Sequence, residues 1–346
     1  MLEFPQCNLA RALSVIQKDL MMYKLLLSLL AASTLAVSPL AALAQSYPSK
    51  LIKIVVPFPA GGDLEPVARA LGDHFQEVWK QPYIVDFKAG AQAMIGTEYV
   101  ARSQPDGHTL LICSVGAMTI NPNLYEKVPY TVGKDIVPVS LVATTPMVLV
   151  VGTKLPVKSY QELVAHVKAN PGKVSFASAG IGNVTHLAAE LFARQAGLSM
   201  VHVPYKGAQA VITDLMGGHV EMYFNPLPSA RGYLSQNSDK IRALAVTSAK
   251  RSPLLPDVPT LDELGLKGFD VNSWYGLCAP GGMPRDVLDK LDAEVIRAVA
   301  DPRTATRLTN LGMSPRANTP EQFAEEIRKE SAQWAKILKD NNIKPQ

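Results

Sequence analysis

The sequence predicts an α/β protein in which helices cover parallel sheets. Two observations carry this. Short apolar runs of strand length alternate with segments whose apolar residues recur at helical spacing. The connections between them are short, with no fixed-period repeat and no low-complexity linker. At 346 residues, 47% hydrophobic and 18% charged, the chain is too apolar for disorder. It also exceeds one ordinary core, so two domains or one large α/β domain are expected. Three cysteines are too few for a disulfide scaffold. A net charge of +4, from 34 basic and 30 acidic residues, is too small to point to nucleic acid.

The N-terminal segment is read as an address label. Met21-Met22-Tyr23-Lys24 precedes an apolar stretch over residues 25–43 that ends in Ala42-Leu43-Ala44. A short basic region, an apolar core and an A-x-A site describe a secretory signal peptide. Ser28, Ser33, Thr34, Ser38 and Pro39 dilute the stretch, and no basic stop-transfer run follows, which argues against a retained anchor. Glu3 and Asp19 do not suit a signal, so residues 1–20 read as an over-extended start with translation beginning at Met21 or Met22. Cleavage after Ala44 leaves an exported chain of 302 residues with 31 basic and 28 acidic side chains. Of the cysteines, Cys113 and Cys278 remain. Export permits a bond between them, but spacing alone does not bring them together, and two buried free thiols are expected.

Residues 51–56 read as a buried strand, broken by Pro57-Phe58-Pro59-Ala60-Gly61-Gly62. Val67, Leu71, Phe75 and Val78 then fall on one face of a helix. Strands are expected at 109–113, 147–151, 174–177, 200–203, 220–224 and 242–247, with helices at 160–169 and 185–196. A further helix begins near Pro284 and carries Val287, Leu291 and Val295. The last opens with Thr319-Pro320-Glu321-Gln322, a capping box with proline at the first helical position, and should bury Phe323, Ile327, Trp334 and Leu338.

Two strand-to-helix loops are candidates for ligand binding, since parallel sheets place their crevices there. In residues 57–63, Gly61 and Gly62 allow close backbone approach. Asp63 would cap the helix, Pro66 loses only an amide without a helical partner, and the remaining N–H groups suit an anion. An ordinary glycine-rich turn explains the same spacing. The second loop runs Ser178-Ala179-Gly180-Ile181-Gly182-Asn183-Val184-Thr185-His186. It resembles a dinucleotide fingerprint only superficially, because threonine ends it and no acid follows about twenty residues on. An anion nest remains, built from exposed amides, the helix dipole and the hydroxyls of Ser178 and Thr185. His186 falls inside the helix, where a hydrogen bond within the core accounts for it. Trp274-Tyr275-Gly276 reads as core rather than pocket. The motifs of serine hydrolases, zinc proteases and phosphate-binding loops are absent, and the six histidines lack metal-ligand spacing. No catalytic residue, metal or cofactor is therefore assigned.

At these same residues the chain resembles the Bug family, the solute-binding proteins of tripartite tricarboxylate transporters. The resemblance covers residues 47–346 and rests on motifs in family order. These are Val56-Pro57-Phe58-Pro59-Ala60-Gly61-Gly62, Pro105-Asp106-Gly107-His108-Thr109-Leu110-Leu111, Asn121-Pro122-Asn123-Leu124-Tyr125 and Pro138-Val139-Ser140-Leu141-Val142-Ala143. His202-Val203-Pro204-Tyr205-Lys206-Gly207 and the stretch 243–260 complete them. The resemblance implies a two-lobed, periplasmic-binding-protein-like Venus flytrap with a ligand cleft between lobes. Lobe one would comprise 47–147 and 272–346, and lobe two 148–271. It implies a small carboxylate held by backbone amides and waters at Phe58, Pro59, Ala60 and Gly61, and at Ser178, Ala179, Gly180, Asn183 and Thr185. It further implies a monomer that delivers its ligand to membrane permease subunits. A ligand sensor in a signalling system would look the same in sequence, and a secreted hydrolase is a weaker alternative.

The chain also departs from the family pattern. Glu65 stands where aspartate is usual. Phe87-Lys88-Ala89-Gly90-Ala91-Gln92-Ala93 replaces a glycine-rich N-R-P-G-A-G-G, adding the Gln92 amide to a loop facing the cleft. Asn225 replaces a common aspartate and removes a negative charge, which favours a plain carboxylate over an amino acid.

Overall fold

The computed structural model describes residues 21–22, 47–340 and 342–344. The signal-peptide reading, apart from Met21 and Met22, falls outside the described residues. The chain divides into two units, Met1–Ser46 and Tyr47–Gln346. The sheet and the helices that cover it lie in the second.

The apolar run after Leu51 forms β1 (Ile52–Val56), which pairs in parallel with β2 (Tyr83–Phe87) and β3 (Thr109–Ser114). Helix α1 (Leu64–Trp79) returns across this sheet and buries Val67, Leu71 and Phe75 completely, each contributing about 1.5–3 kcal/mol of transfer free energy. Val78, expected on the same face, is 48% exposed. It lies in the last turn, where Trp79, stacked on Phe75 at 4.6 Å, covers the core instead. After α2 (Met94–Ala101) and β3, a π turn (Gly116–Ile120) runs into the short α3 (Asn121–Leu124).

The next strand is much longer than the sequence suggested. β4 extends over Ile136–Gly152, 17 residues through Pro138 and Pro146, so the expected 147–151 is only its C-terminal part. Its first part, up to Pro146, pairs antiparallel with β9 (Asn272–Pro280), and β9 pairs with β3. Its last part, from Met147, pairs antiparallel with both β7 (Met222–Pro226) and β8 (Ile241–Val246). β5 (Ser175–Ser178) lies parallel to β7 and to β6 (Val201–Pro204), and β10 (Ser314–Pro315) adds to β4. The strand order is β2-β1-β3-β9-β4-β7-β5-β6. The expected parallel pairing therefore holds in the two wings, while the centre is antiparallel.

Helices α4 (Tyr160–Ala169), α5 (Val184–Ala196), α6 (Ala208–Gly217) and α7 (Leu227–Gln236) cover the β5–β7 wing. Helices α8 (Arg285–Ala300), α9 (Pro302–Asn310) and α10 (Pro320–Asp340) complete the chain. Val287, Leu291 and Val295 are buried, as are Phe323, Ile327, Trp334 and Leu338. The capping box is reciprocal: Gln322 N donates to Thr319 Oγ1 at 3.3 Å and Thr319 N to Gln322 Oε1 at 3.1 Å. Trp274 and Tyr275 are core residues.

The cysteine expectation is corrected. Cys113 and Cys278 form a disulfide, with Cα atoms 5.9 Å apart. The β3–β9 register sets Cys113 opposite Gly276 and Leu111 opposite Cys278, so the two cysteines are diagonal neighbours within bonding reach. This pairing joins strands 165 residues apart in sequence, which spacing alone does not reveal.

Candidate functional site

β1, β5 and β7 each belong to a parallel pair, and the segments leaving their carboxyl ends carry most of the residues that the sequence singles out. In an open α/β sheet this is where ligands bind.

The first segment, residues 57–63, is already holding a carboxylate. Gly61, at φ 84°, donates its amide to Glu65 Oε2 at 2.7 Å. The other oxygen of Glu65 accepts from Arg69 Nε at 2.8 Å and Nη2 at 2.7 Å. The Gly61 N–H, followed by Arg69, keeps the Glu65 carboxyl below the usual range. Phe58 packs against the core beneath β1, while Pro59 and Ala60 are exposed. Asp63 does not cap α1 as expected. Its backbone is helical (φ −65°, ψ −21°) and makes no side-chain cap bond, whereas a capping side chain needs an extended residue. Its carboxylate instead accepts from Ser229 Oγ on α7 at 2.8 Å and faces Tyr275, and burial lifts its pKa to about 6.

The second segment joins β5 to α5 and is tightly self-bonded. Ala179 N donates to Thr185 Oγ1 at 3.0 Å, and Gly180 N to Ser178 Oγ at 3.2 Å. Asn183 is the N-cap, extended at φ −68° and ψ 153°, with Oδ1 accepting from Thr185 N at 3.0 Å. Gly182 N donates to His186 Nδ1 at 3.2 Å, so His186 is a satisfied core histidine. His186 stacks on His202 at 3.8 Å between ring centroids, and Phe176 lies alongside both rings, 4.9 Å from His202 and 6.2 Å from His186. Burial, then His186, pushes the His202 imidazole down to about 4. His202 Nε2 is 2.7 Å from Ser178 Oγ, a separation that a nucleophile and its base would also show. Ser178 Oγ, however, is already engaged within the loop, accepting from Gly180 N at 3.2 Å and lying 3.1 Å from Gly180 O. The pair holds the loop.

The third segment crosses to the second. Ala91, Gln92 and Ala93 lie consecutively in the left-handed region, at φ 45°, 51° and 72°, which is unfavourable for side-chain-bearing residues. Asn121 Nδ2 holds this turn by donating to Gln92 O at 2.8 Å. The turn presses the Gln92 amide onto Gly180, where a Cβ would overlap it, and Leu124 fills the corresponding space at Gly182. Glycine at φ 139° and 73° is thus required by backbone conformation, and a Cβ there would also displace the Gln92 amide or the Leu124 side chain.

Asn225, near the end of β7, has no exposed surface, and neither Oδ1 nor Nδ2 has a hydrogen-bond partner. Tyr223 lies on the same face of the strand, two residues earlier. Its hydroxyl is also buried without a bond of normal geometry, and it neighbours Thr185 and Asp63. Buried polar groups are nearly always bonded, so three such atoms on one strand face call for a partner. Sequence reasoning found Asn225 but not Tyr223, Ser229 or the role of Asp63. The one available signal for Tyr223 was its position two residues before Asn225.

Among the described residues, no group of three or more His, Cys, Asp or Glu side chains could hold a metal, and no helix is long and apolar enough to cross a membrane. A separate groove of about 530 Å³, lined in part by Met118, Tyr125, Ile327 and Arg328, contains none of the predicted site residues.

The family described as tripartite tricarboxylate transporter family receptor matches residues 67–343. The chain belongs to this family. Among its relatives, Protein BugT of Bordetella pertussis is 35% identical over 302 residues, covering 87% of this chain and 92% of BugT. Among solved structures, R. palustris Rpa4515 with adipate superposes with a TM-score of 0.82 at 31% identity, covering 87% of this chain and all of that one. MatC (Rpa3494) from Rhodopseudomonas palustris with bound malate gives 0.76 at 30% identity, covering 84% and 100%. The chain has the mixed α/β fold of the solved relatives, which include a periplasmic binding protein, BugD, at a TM-score of 0.78 and 36% identity over 87% of this chain and all of that one. The family is one of receptors, not of named enzymes.

Proposed function

We propose that this receptor captures a small carboxylate in the periplasm, in a cleft bordered by residues 57–63, 88–93 and 178–185, and delivers it to the permease subunits of a tripartite tricarboxylate transporter. In this reading the protein is a monomer exported by a cleaved signal peptide. Lobe one comprises 47–147 with 272–346, and lobe two 148–271. The change of β4 partners between Pro146 and Met147 supports that division.

The observation that carries the reading is the unpartnered Asn225 amide, buried beside Tyr223 at the carboxyl end of β7. A ligand supplies the donor and acceptor that the fold leaves out, which recovers the desolvation cost of both groups. The Thr185 hydroxyl accepts from Ala179 and retains its own hydrogen to donate. The Gln92 amide over Gly180 adds a further donor. The adipate and malate in the solved relatives suit such a site. Because Asn225 is neutral, a plain carboxylate is preferred to an amino acid. Binding favours the closed arrangement by its differential affinity for that state.

A thermal-shift screen over di-, tri- and aromatic carboxylates, followed by calorimetry, tests the proposal. Saturable binding of at least one carboxylate is expected. Tight binding of an amino acid with none of the matching dicarboxylate would overturn the choice of ligand class.

A further inference from the structure

The carboxylate already seated at the Gly61 amide belongs to the protein. Glu65 lies one helical turn beyond Gly61, and one oxygen reaches back to the Gly61 N–H at 2.7 Å while Arg69 holds the other. The Glu65 side chain is partly exposed, at 18%, and its partner Arg69 more so, at 46%, so both carboxylate contacts lie at the surface. Gly61 is two residues from Asp63, which bonds to Ser229, and Ser229 is four residues beyond Asn225. The occupied amide and the unpartnered buried amide of Asn225 therefore flank one contact between α1 and α7.

We infer that Glu65 is an internal competitor for the ligand. Its carboxylate occupies, in the ligand-free receptor, an amide that a ligand carboxylate takes when bound. This rests on the carboxylate-capture reading and adds a specificity residue to it. Two consequences follow from electrostatics. A ligand that displaces Glu65 must exchange one charge-assisted N–H bond for another, so that amide contributes little net affinity. A ligand that leaves Glu65 in place meets a like charge close by, which is unfavourable. Either way Glu65 weakens the capture of anions, and where it stays in place it penalises a dianion more than a monoanion. The Gly61 N–H, followed by Arg69, keeps the competitor ionised, and Arg69 holds its other oxygen. Once Glu65 is displaced, its carboxylate still has Arg69 as partner, so displacement leaves no buried charge unpaired.

The test is calorimetric titration of the wild-type protein, Glu65→Gln and Glu65→Ala with adipate, malate and acetate. Glu65→Gln keeps an oxygen able to accept from Gly61 but removes the charge, and Glu65→Ala frees the amide. Both variants are expected to bind the dianions at least about fivefold more tightly than wild type, with a smaller gain for acetate, and Glu65→Ala should gain most. The Gly61 amide resonance supplies a readout independent of affinity. In wild type, it should shift on acidification as Glu65 protonates and should move on ligand addition; in Glu65→Ala the acid-dependent shift should vanish. Unchanged or weaker dianion binding in both variants would overturn the inference, since Glu65 would then brace the loop for binding. Failure of wild type to bind any carboxylate of the thermal-shift screen would instead strike the carboxylate reading itself.

Discussion

Replacing Gln92 with glycine should make the receptor more stable and a poorer binder at the same time. Gln92 is the middle of three consecutive side-chain-bearing residues with positive φ, at 45°, 51° and 72°. A left-handed conformation costs a residue with a Cβ about 1–2 kcal/mol. Glycine avoids that cost but loses about 0.4–1 kcal/mol through the greater freedom of the unfolded chain. The net gain is about 0.5–1 kcal/mol, which for a protein of this size raises Tm by about 1–3 °C. The lost side-chain amide lies over Gly180. If it donates to a bound carboxylate, its removal costs about 1.5–3 kcal/mol of binding, or roughly 10- to 100-fold in Kd. Differential scanning calorimetry without ligand and isothermal titration with adipate or malate measure the two effects separately. A lower Tm with unchanged Kd would refute the reasoning, because the strained turn would then be stabilised by its own packing and would do nothing for the ligand.

Other perturbations have defined signs. Reducing the Cys113–Cys278 bond, which closes a loop of 165 residues, should cost about 5 kcal/mol in the chain-entropy treatment; urea unfolding with and without reductant should show a lower midpoint for the reduced protein. Asn225→Asp places a charge at a fully buried position and should weaken dicarboxylate binding by tenfold or more, read by calorimetry, while an amino-acid ligand loses less. Stability should also depend on the His202 imidazole, held at about 4 against 6.5. Above pH 6.5 it is neutral in both states; between pH 6.5 and 4 the unfolded chain takes up a proton that the folded one refuses, so stability falls as pH drops through that window. Asp63, raised from 3.8 to about 6, has the opposite slope between those values. Denaturant midpoints from pH 4 to 7.5 should therefore lose the His202 component in His202→Phe and the opposing one in Asp63→Asn.

The sequence carried the periodic elements well because their burial is local in origin. Val67, Leu71 and Phe75 announce the inner face of α1, and the Thr319–Gln322 capping box marks where α10 starts. What escaped it depends on pairing between distant strands. β4 was under-read because Pro138 and Pro146 punctuate it; β9 on one side and β7 and β8 on the other sustain the strand through both prolines. The disulfide follows from β3–β9 register, which no local pattern records. At the site, the sequence marks Gly61 and Gly62 for close approach, but no side chain crowds either; the close approach falls at Gly180 and Gly182, against Gln92 and Leu124. The Glu65–Gly61 bond was not foreseen, although the four-residue spacing permits it, because a free amide and an occupied one have the same sequence. Asp63 misled because an aspartate before a helix reads as a cap until its backbone is known to be helical.

Everything proposed for this receptor turns on a carboxylate binding beside Asn225, between the segments 57–63, 88–93 and 178–185. A crystal structure of the receptor grown with adipate or malate would decide it. The expected result is ligand density with a polar atom within hydrogen-bonding distance of the Asn225 side chain and a carboxylate oxygen facing Thr185 or Gln92. Density in the groove lined by Met118, Tyr125 and Ile327, with the Asn225 amide untouched, would contradict it.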